Sequence, residues 1–202
     1  MLFAGTADIE RMSQFEFIFS LYSLLLGLSL VELLSGLGRT LKARLNIDPV
    51  ARAEYRIGWL TPLLGLFVML DLLSFWAAAW VVRDVIAVSG TSLIGVMLFA
   101  SAYYLAAHLV FPELLPDDGD LDPHYYRVRR TVIAILLLLL FVQLGYYAMQ
   151  PELAPRLLNP VAWGLTLVLI ALMGAALLVR SKPVAIVVLL ALIVRYAVVY
   201  VL

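Results

Sequence analysis

The sequence predicts an all-α membrane protein: a polytopic bundle of six transmembrane spans forming one membrane domain, with both termini on the non-cytoplasmic side. Three observations carry this expectation. Hydrophobic residues make up 64% of the chain, charged residues 14%, and mean hydropathy is +1.03. An ordinary soluble domain is nearer ~45–50% apolar and ~25% charged. The apolar residues fall into six runs, near 15–37, 58–82, 91–111, 130–149, 160–179 and 183–202, each close to the ~20 residues a helix needs to cross the hydrocarbon core. These runs lack the polar faces that a soluble helical protein would keep. Lastly, Lys and Arg gather in alternate connections, which sets orientation.

Span one reads FEFIFSLYSLLLGLSLVELLSGLGR. The leader MLFAGTADIERMSQ carries Asp8 and Glu10 in place of a basic cluster, and no small-residue cleavage site ends the apolar run. A retained span is therefore expected in place of a signal peptide. Glu16, Ser20, Ser23 and Gly27 fall within about 60° on the helix, and Glu32 lies about 160° round from Glu16 with Tyr22, Ser29 and Gly36 near it. Polar groups on nearly opposite faces predict a central helix with neighbours on both sides. Serine and glycine have a plain packing role between membrane helices, which accounts for everything here except Glu32.

Pro62 and Asp71 interrupt span two, and His108 interrupts span three. A charge near the bilayer centre costs several kcal/mol unless it finds a partner, water or a snorkelling route. Asp71 stands roughly 20 Å along its helix from Ile57, and Arg195 roughly 18 Å from Pro183. Matching depth predicts an Asp71–Arg195 ion pair joining spans two and six, either structural or lining a polar cavity. Ser101, Tyr104 and His108 share one face of span three, and Glu32 lies near the level of His108. A Glu32–His108 contact is expected between spans one and three, as a structural hydrogen bond or as a proton-handling couple. The only other histidine, His124, lies in a connection, so haem ligation is not supported and no cofactor or metal is expected. On span four, Gln143 and Tyr147 stand one turn apart and suit hydrogen bonds inside the bundle. Thr166 and Gly174 of span five suit packing; without an embedded charge this span belongs at the periphery.

The connections complete the topology. Arg39, Lys42, Arg44, Arg52 and Arg56 follow span one; Arg127, Arg129 and Arg130 precede or open span four; Arg180 and Lys182 separate spans five and six. Against these ten stand Arg11, Arg83 and Arg156 on the other side, with Arg195 embedded. Segment 38–57 suits a short amphipathic piece on the inner surface, broken near Asp48–Pro49 and attracted to anionic lipid. In FPELLPDDGDLDPHYYRVRR, Asp118, Asp120 and Asp122 alternate like calcium ligands. The twelfth loop position, however, is Arg129 where that loop needs a glutamate. Asp122–Pro123 instead fits a helix cap and first-turn proline. Tyr125 and Tyr126 suit the membrane interface, with Arg127, Arg129 and Arg130 as lipid-headgroup candidates. On the other side, QPELAPRLLNP is short and proline-stiffened. Trp59, Trp76, Trp80 and Trp163 lie toward span ends, as an interface belt would place them. Glu32 and Asp71 have no counterparts in spans four and five, so an inverted repeat finds no support.

The segments FEFIFSLYSLLLGLSLVELLSGLGR and YYLAAHLVFPE resemble the first span and the end of the third in a group of small bacterial polytopic inner-membrane proteins. That group has no assigned activity. The resemblance implies a bacterial inner-membrane location and no catalytic roles.

Composition excludes some functions and leaves others open. With no cysteine, disulfides, thiolate metal sites and cysteine nucleophiles are absent. No basic stripe of the nucleic-acid-binding kind appears. No HExxH, GxSxG or histidine-rich cluster supports an enzyme acting on lipid. The leading expectation is a channel or transporter for an ion or small solute, using Glu16, Glu32, Asp71, His108, Gln143 and Arg195 as intramembrane polar candidates. The alternative is a non-enzymatic accessory or scaffold subunit of a larger membrane complex. The expected partners are membrane lipid and either further copies of the chain or that larger complex.

Overall fold

The computed structural model describes residues 2–45, 58–83, 85–86, 89–114, 120–157 and 159–201, with side chains except at 2–14, 44, 156–157 and 201. Arg52, Arg56, Asp118 and the Asp48–Pro49 break lie outside the described residues. The described residues hold seven helices and no strand: α1 Leu2–Leu45, α2 Leu60–Val81, α3 Gly90–Val110, α4 Asp122–Met149, α5 Ala154–Leu157, α6 Pro160–Leu178 and α7 Lys182–Val201. All but α5 are long and apolar enough to cross a membrane. The protein is a polytopic helical membrane protein.

Helix starts follow local chemistry. Ser89 caps α3 by accepting the Ser92 N–H at 3.0 Å, and Asn159 caps α6 by accepting the Val161 N–H at 3.0 Å. Pro160 follows at the first helical position, where its missing N–H has no partner to lose. Helix α3 stops at Val110, and Phe111 before Pro112 takes the extended backbone that a following proline imposes. Two helices outrun their apolar cores. Helix α1 continues through Arg39 and Lys42 to Leu45, and α4 begins at Asp122, eight residues ahead of the expected 130. Hydropathy detects only the oily part of a helix; backbone hydrogen bonding carries on into its charged ends.

Successive spans run antiparallel. One end of the bundle, here called the Asp122 end, gathers the C-termini of α1, α3 and α6 with the N-termini of α2, α4 and α7. The other, the Trp80 end, gathers the opposite termini. Helix α2 is the hub and packs on α1, α3, α4 and α7; α6 packs on α4 and α7.

Span one is not central, contrary to its sequence pattern. Helix α1 buries one stripe, including Phe15, Ile18, Tyr22, Leu26, Ser29, Leu33 and Gly36, against α2 and α3. Phe17, Leu24, Val31 and Leu41 face outward. Glu16 is exposed on that outer side, so its polarity needs no second protein neighbour.

Lipid tails are as apolar as leucine, so close packing must hold membrane helices together in place of the hydrophobic effect. Ala100, Ala106 and Ala107 on α3 are at most 1% exposed, which lets backbones approach. The Phe111 side chain, 6% exposed, wedges between α1 and α2. A Cβ on Gly36 would stand 2.3 Å from that ring, and one on Gly65 would stand 2.8 Å from it. Overpacking of this kind costs about 1–3 kcal/mol, against ~1 kcal/mol gained in helix propensity. Gly36→Ala should therefore lower the midpoint of thermal unfolding in detergent. Gly174→Ala, whose added Cβ meets nothing within 4 Å, should leave it unchanged or raise it.

Candidate functional site

The embedded polar groups sort into three clusters and one cleft. Asp71 is 2% exposed at the middle of the hub helix. Tyr103 of α3 donates to Asp71 Oδ2 at 2.6 Å, and Tyr196 of α7 donates to Asp71 Oδ1. A carboxylate offers only acceptors, and the two hydroxyls fill one site on each oxygen. Aromatic packing positions the donors: Tyr103 meets the Phe75 ring edge-on at 5.5 Å, and Tyr196 lies 6.1 Å from Phe67.

The expected Asp71–Arg195 ion pair is replaced by this arrangement. The Arg195 guanidinium stacks on the ring of Tyr196, 4.7 Å from its centroid. The two helices are neighbours, as matching depth implied, but Arg195 points round the next tyrosine while that hydroxyl takes the acid. A ring face gives a cation a partner that also belongs in apolar surroundings.

Glu32, Tyr104 and His108 form the second cluster, on the α1–α3 flank. His108 Nδ1 stands 3.4 Å from Glu32 Oε2, and Tyr104 donates to Glu32 Oε1 at 3.3 Å. The Tyr104 and His108 rings stack at 6.0 Å. Unlike Asp71, this cluster is open: the Glu32 and His108 side chains are 31% and 45% exposed. Gly65 shares the Phe111 contact with Gly36 and is five residues into α2. Glu32 lies one further turn inward, so roughly 13 Å of helical rise separates it from the α2 start.

The third cluster locks the Asp122 end. Asp122 does not cap its own helix; its Oδ1 accepts the Leu60 N–H of α2 at 3.1 Å, and its other oxygen pairs with Lys182 of α7. Asp120 takes the local role by accepting the Asp122 N–H at 3.0 Å. Thr61 donates to the Leu121 carbonyl at 2.8 Å. A Cβ on Gly58 would strike both carboxylates, so only glycine admits this crossing. Of the lipid-headgroup candidates, Arg127 and Arg130 are exposed. Arg129 is 3% exposed and turns inward. Its Nη1 donates to the carbonyls of Ala176, at 3.0 Å, and Val179, and its guanidinium lies 5.1 Å from the Tyr126 ring centroid. It thereby serves the unpaired carbonyls at the negative end of α6.

Gln143 donates to the Tyr147 hydroxyl at 3.2 Å, beside a cleft of about 530 Å³ at the Trp80 end, walled by α1, α2, α3 and α4. Glu16 joins none of these groups; its backbone carbonyl accepts from Ser20 at 2.7 Å. Among the described residues, no three His, Asp or Glu side chains gather as metal ligands would.

No family model, curated protein or solved structure matches this chain.

Sequence reasoning located Asp71, Glu32, Tyr104 and His108, and missed Tyr103 and Tyr196 as donors. A signal was present: a tyrosine deep in an apolar run needs an acceptor for its hydroxyl. Losing one such donor should cost about 1–2 kcal/mol. In urea or thermal unfolding in detergent, Tyr103→Phe and Tyr196→Phe should each destabilise more than Arg195→Met. The reverse order would restore the ion pair as the main contact of Asp71.

Proposed function

We propose that the chain is a non-enzymatic assembly subunit of a bacterial inner membrane, docking through its α1–α3 flank onto a second copy of itself. The observation that carries this reading is the exposure of Glu32 and His108, at 31% and 45%, roughly 13 Å inside the span by helical rise. Polar side chains at such depth turn toward protein or water rather than acyl chains. Leu28 and Leu105, 46% and 56% exposed, flank them and supply apolar contact. An acid beside a base is self-complementary under a two-fold axis: Glu32 of each copy meets His108 of the other.

The orientation belongs to the same proposal. The Asp122 end carries Arg39, Lys42, Arg127, Arg130, Arg180 and Lys182, so it faces the cytoplasm under the positive-inside rule, and both termini lie opposite. Arg127 and Arg130 then reach phosphate headgroups.

A channel or transporter for an ion or small solute is the second reading, favoured by the Glu32–His108 couple. Carboxylate and imidazole can exchange a proton, and a seam between two copies would give it a path. Asp71, enclosed by Tyr103 and Tyr196, fits a structural role in both readings.

The chain has no cysteine, so single introduced thiols give a clean test. Leu28→Cys should form a disulfide-linked dimer in membranes. Leu178→Cys, 77% exposed on α6, should stay monomeric. Adding Glu32→Gln and His108→Ala to the first should reduce its crosslinking severalfold. Equal crosslinking at both positions would remove the proposed interface. Proton flux in proteoliposomes that is unchanged by Glu32→Gln would remove the transport reading.

A further inference from the structure

We infer that the cleft at the Trp80 end is a binding site for an uncharged amphipath, with an apolar body and a hydroxyl, carbonyl or amide head. Its volume, about 530 Å³, falls within the ~300–1,000 Å³ of ligand pockets generally. Phe15 and Phe19 of α1, Phe75 of α2 and Phe99 of α3 supply its walls. Such walls match hydrocarbon or a flat ring.

Polar groups reach the lining from three helices, with Tyr22 on α1, Thr91 and Ser92 on α3, and Gln143 and Tyr147 on α4. The Gln143 amide and the Tyr147 hydroxyl are bonded to each other at 3.2 Å. Among the described lining residues none carries a formal charge, and none is histidine. A phosphate, carboxylate or ammonium head would enter without a counter-charge, at the cost that attends unpaired charge in an apolar site. A neutral head would find both donors and acceptors.

Water is a poorer occupant. A stable buried water needs two to four polar partners, and most of this lining is aromatic or aliphatic. Left empty, the walls would lose dispersion contacts over their whole area. The cleft is also accessible to mutation from within. Gly95 lines it, and a Cβ added there meets nothing within 4 Å.

Tryptophan fluorescence provides the test. The Phe19 ring, in the wall, lies 6.3 Å from Trp76 and 5.5 Å from Trp80. The remaining tryptophans, Trp59 and Trp163, are removed by Trp59→Phe and Trp163→Phe. In nanodiscs, a dibrominated octadecyl alcohol should quench the emission of this chain saturably. Gly95→Phe, which fills the cleft, should weaken that quenching roughly tenfold or more. Gly164→Phe on α6, also with nothing within 4 Å of its Cβ, should leave it intact. Helicity by circular dichroism certifies each variant; if Gly95→Phe does not fold, Ala79→Phe fills the same space from α2. Unchanged quenching in a folded, filled variant overturns the site. So does equal saturable quenching by a dibrominated phosphatidylcholine, which would mark ordinary lipid contact. Neither outcome bears on the α1–α3 interface, which lies on the outer flank.

Discussion

Hydrocarbon gives a carboxylate nothing to bond, so the protein itself must complete the acceptor sites of Asp71. It does so with two tyrosine hydroxyls from two different helices, Tyr103 on α3 and Tyr196 on α7. Because Asp71 belongs to the hub helix, this one group ties three spans together at mid-depth. The aromatic residues around it follow from the same demand. Each donor must be held at a fixed angle, and Phe75 and Phe67 hold the two rings. Tyr22 adds a further tie by donating to the Phe75 carbonyl at 3.0 Å.

The two ends of the bundle are built differently around this middle. At the Asp122 end, polar chemistry is dense and reciprocal: a helix N-terminus meets a carboxylate, the carboxylate meets Lys182, and a helix C-terminus meets Arg129. Helix termini leave backbone groups unpaired, and here neighbouring helices supply the partners. At the Trp80 end the helices separate and leave the cleft, with Phe15 and Phe19 stacking at 5.3 Å along its edge. One end is closed by charge and hydrogen bonds; the other is open and apolar. The α1–α3 flank adds a third surface, with a titratable couple set among exposed leucines.

Much of the candidate chemistry was legible in the residues. An embedded Glu32 and His108 at equal depth implied a contact between spans one and three, and the structure brings them to 3.4 Å. Depth arithmetic also made spans two and six neighbours. It failed on the identity of the contact, because depth fixes the height of a side chain and leaves its azimuth free. Tyr196 and Arg195 differ by one residue and therefore by about 100° round the helix, and that rotation decides which of them reaches Asp71. Arg129 fell to the same ambiguity: among three arginines near one helix start, only packing selects the one that turns inward.

What the residues determined by themselves is the architecture that the solvent dictates. Six apolar runs of spanning length, separated by short polar connections, have to become helices, since hydrocarbon tolerates no unpaired backbone. Tertiary structure decided everything that depends on rotation and neighbour choice. It made α2 the hub in place of α1, gave Asp71 its tyrosines, turned the Asp122 carboxylate from its own helix start to that of α2, and opened a cleft among four helices. These features arise from side chains distant in sequence meeting at angles of a few tens of degrees, and hydropathy carries no information about such angles.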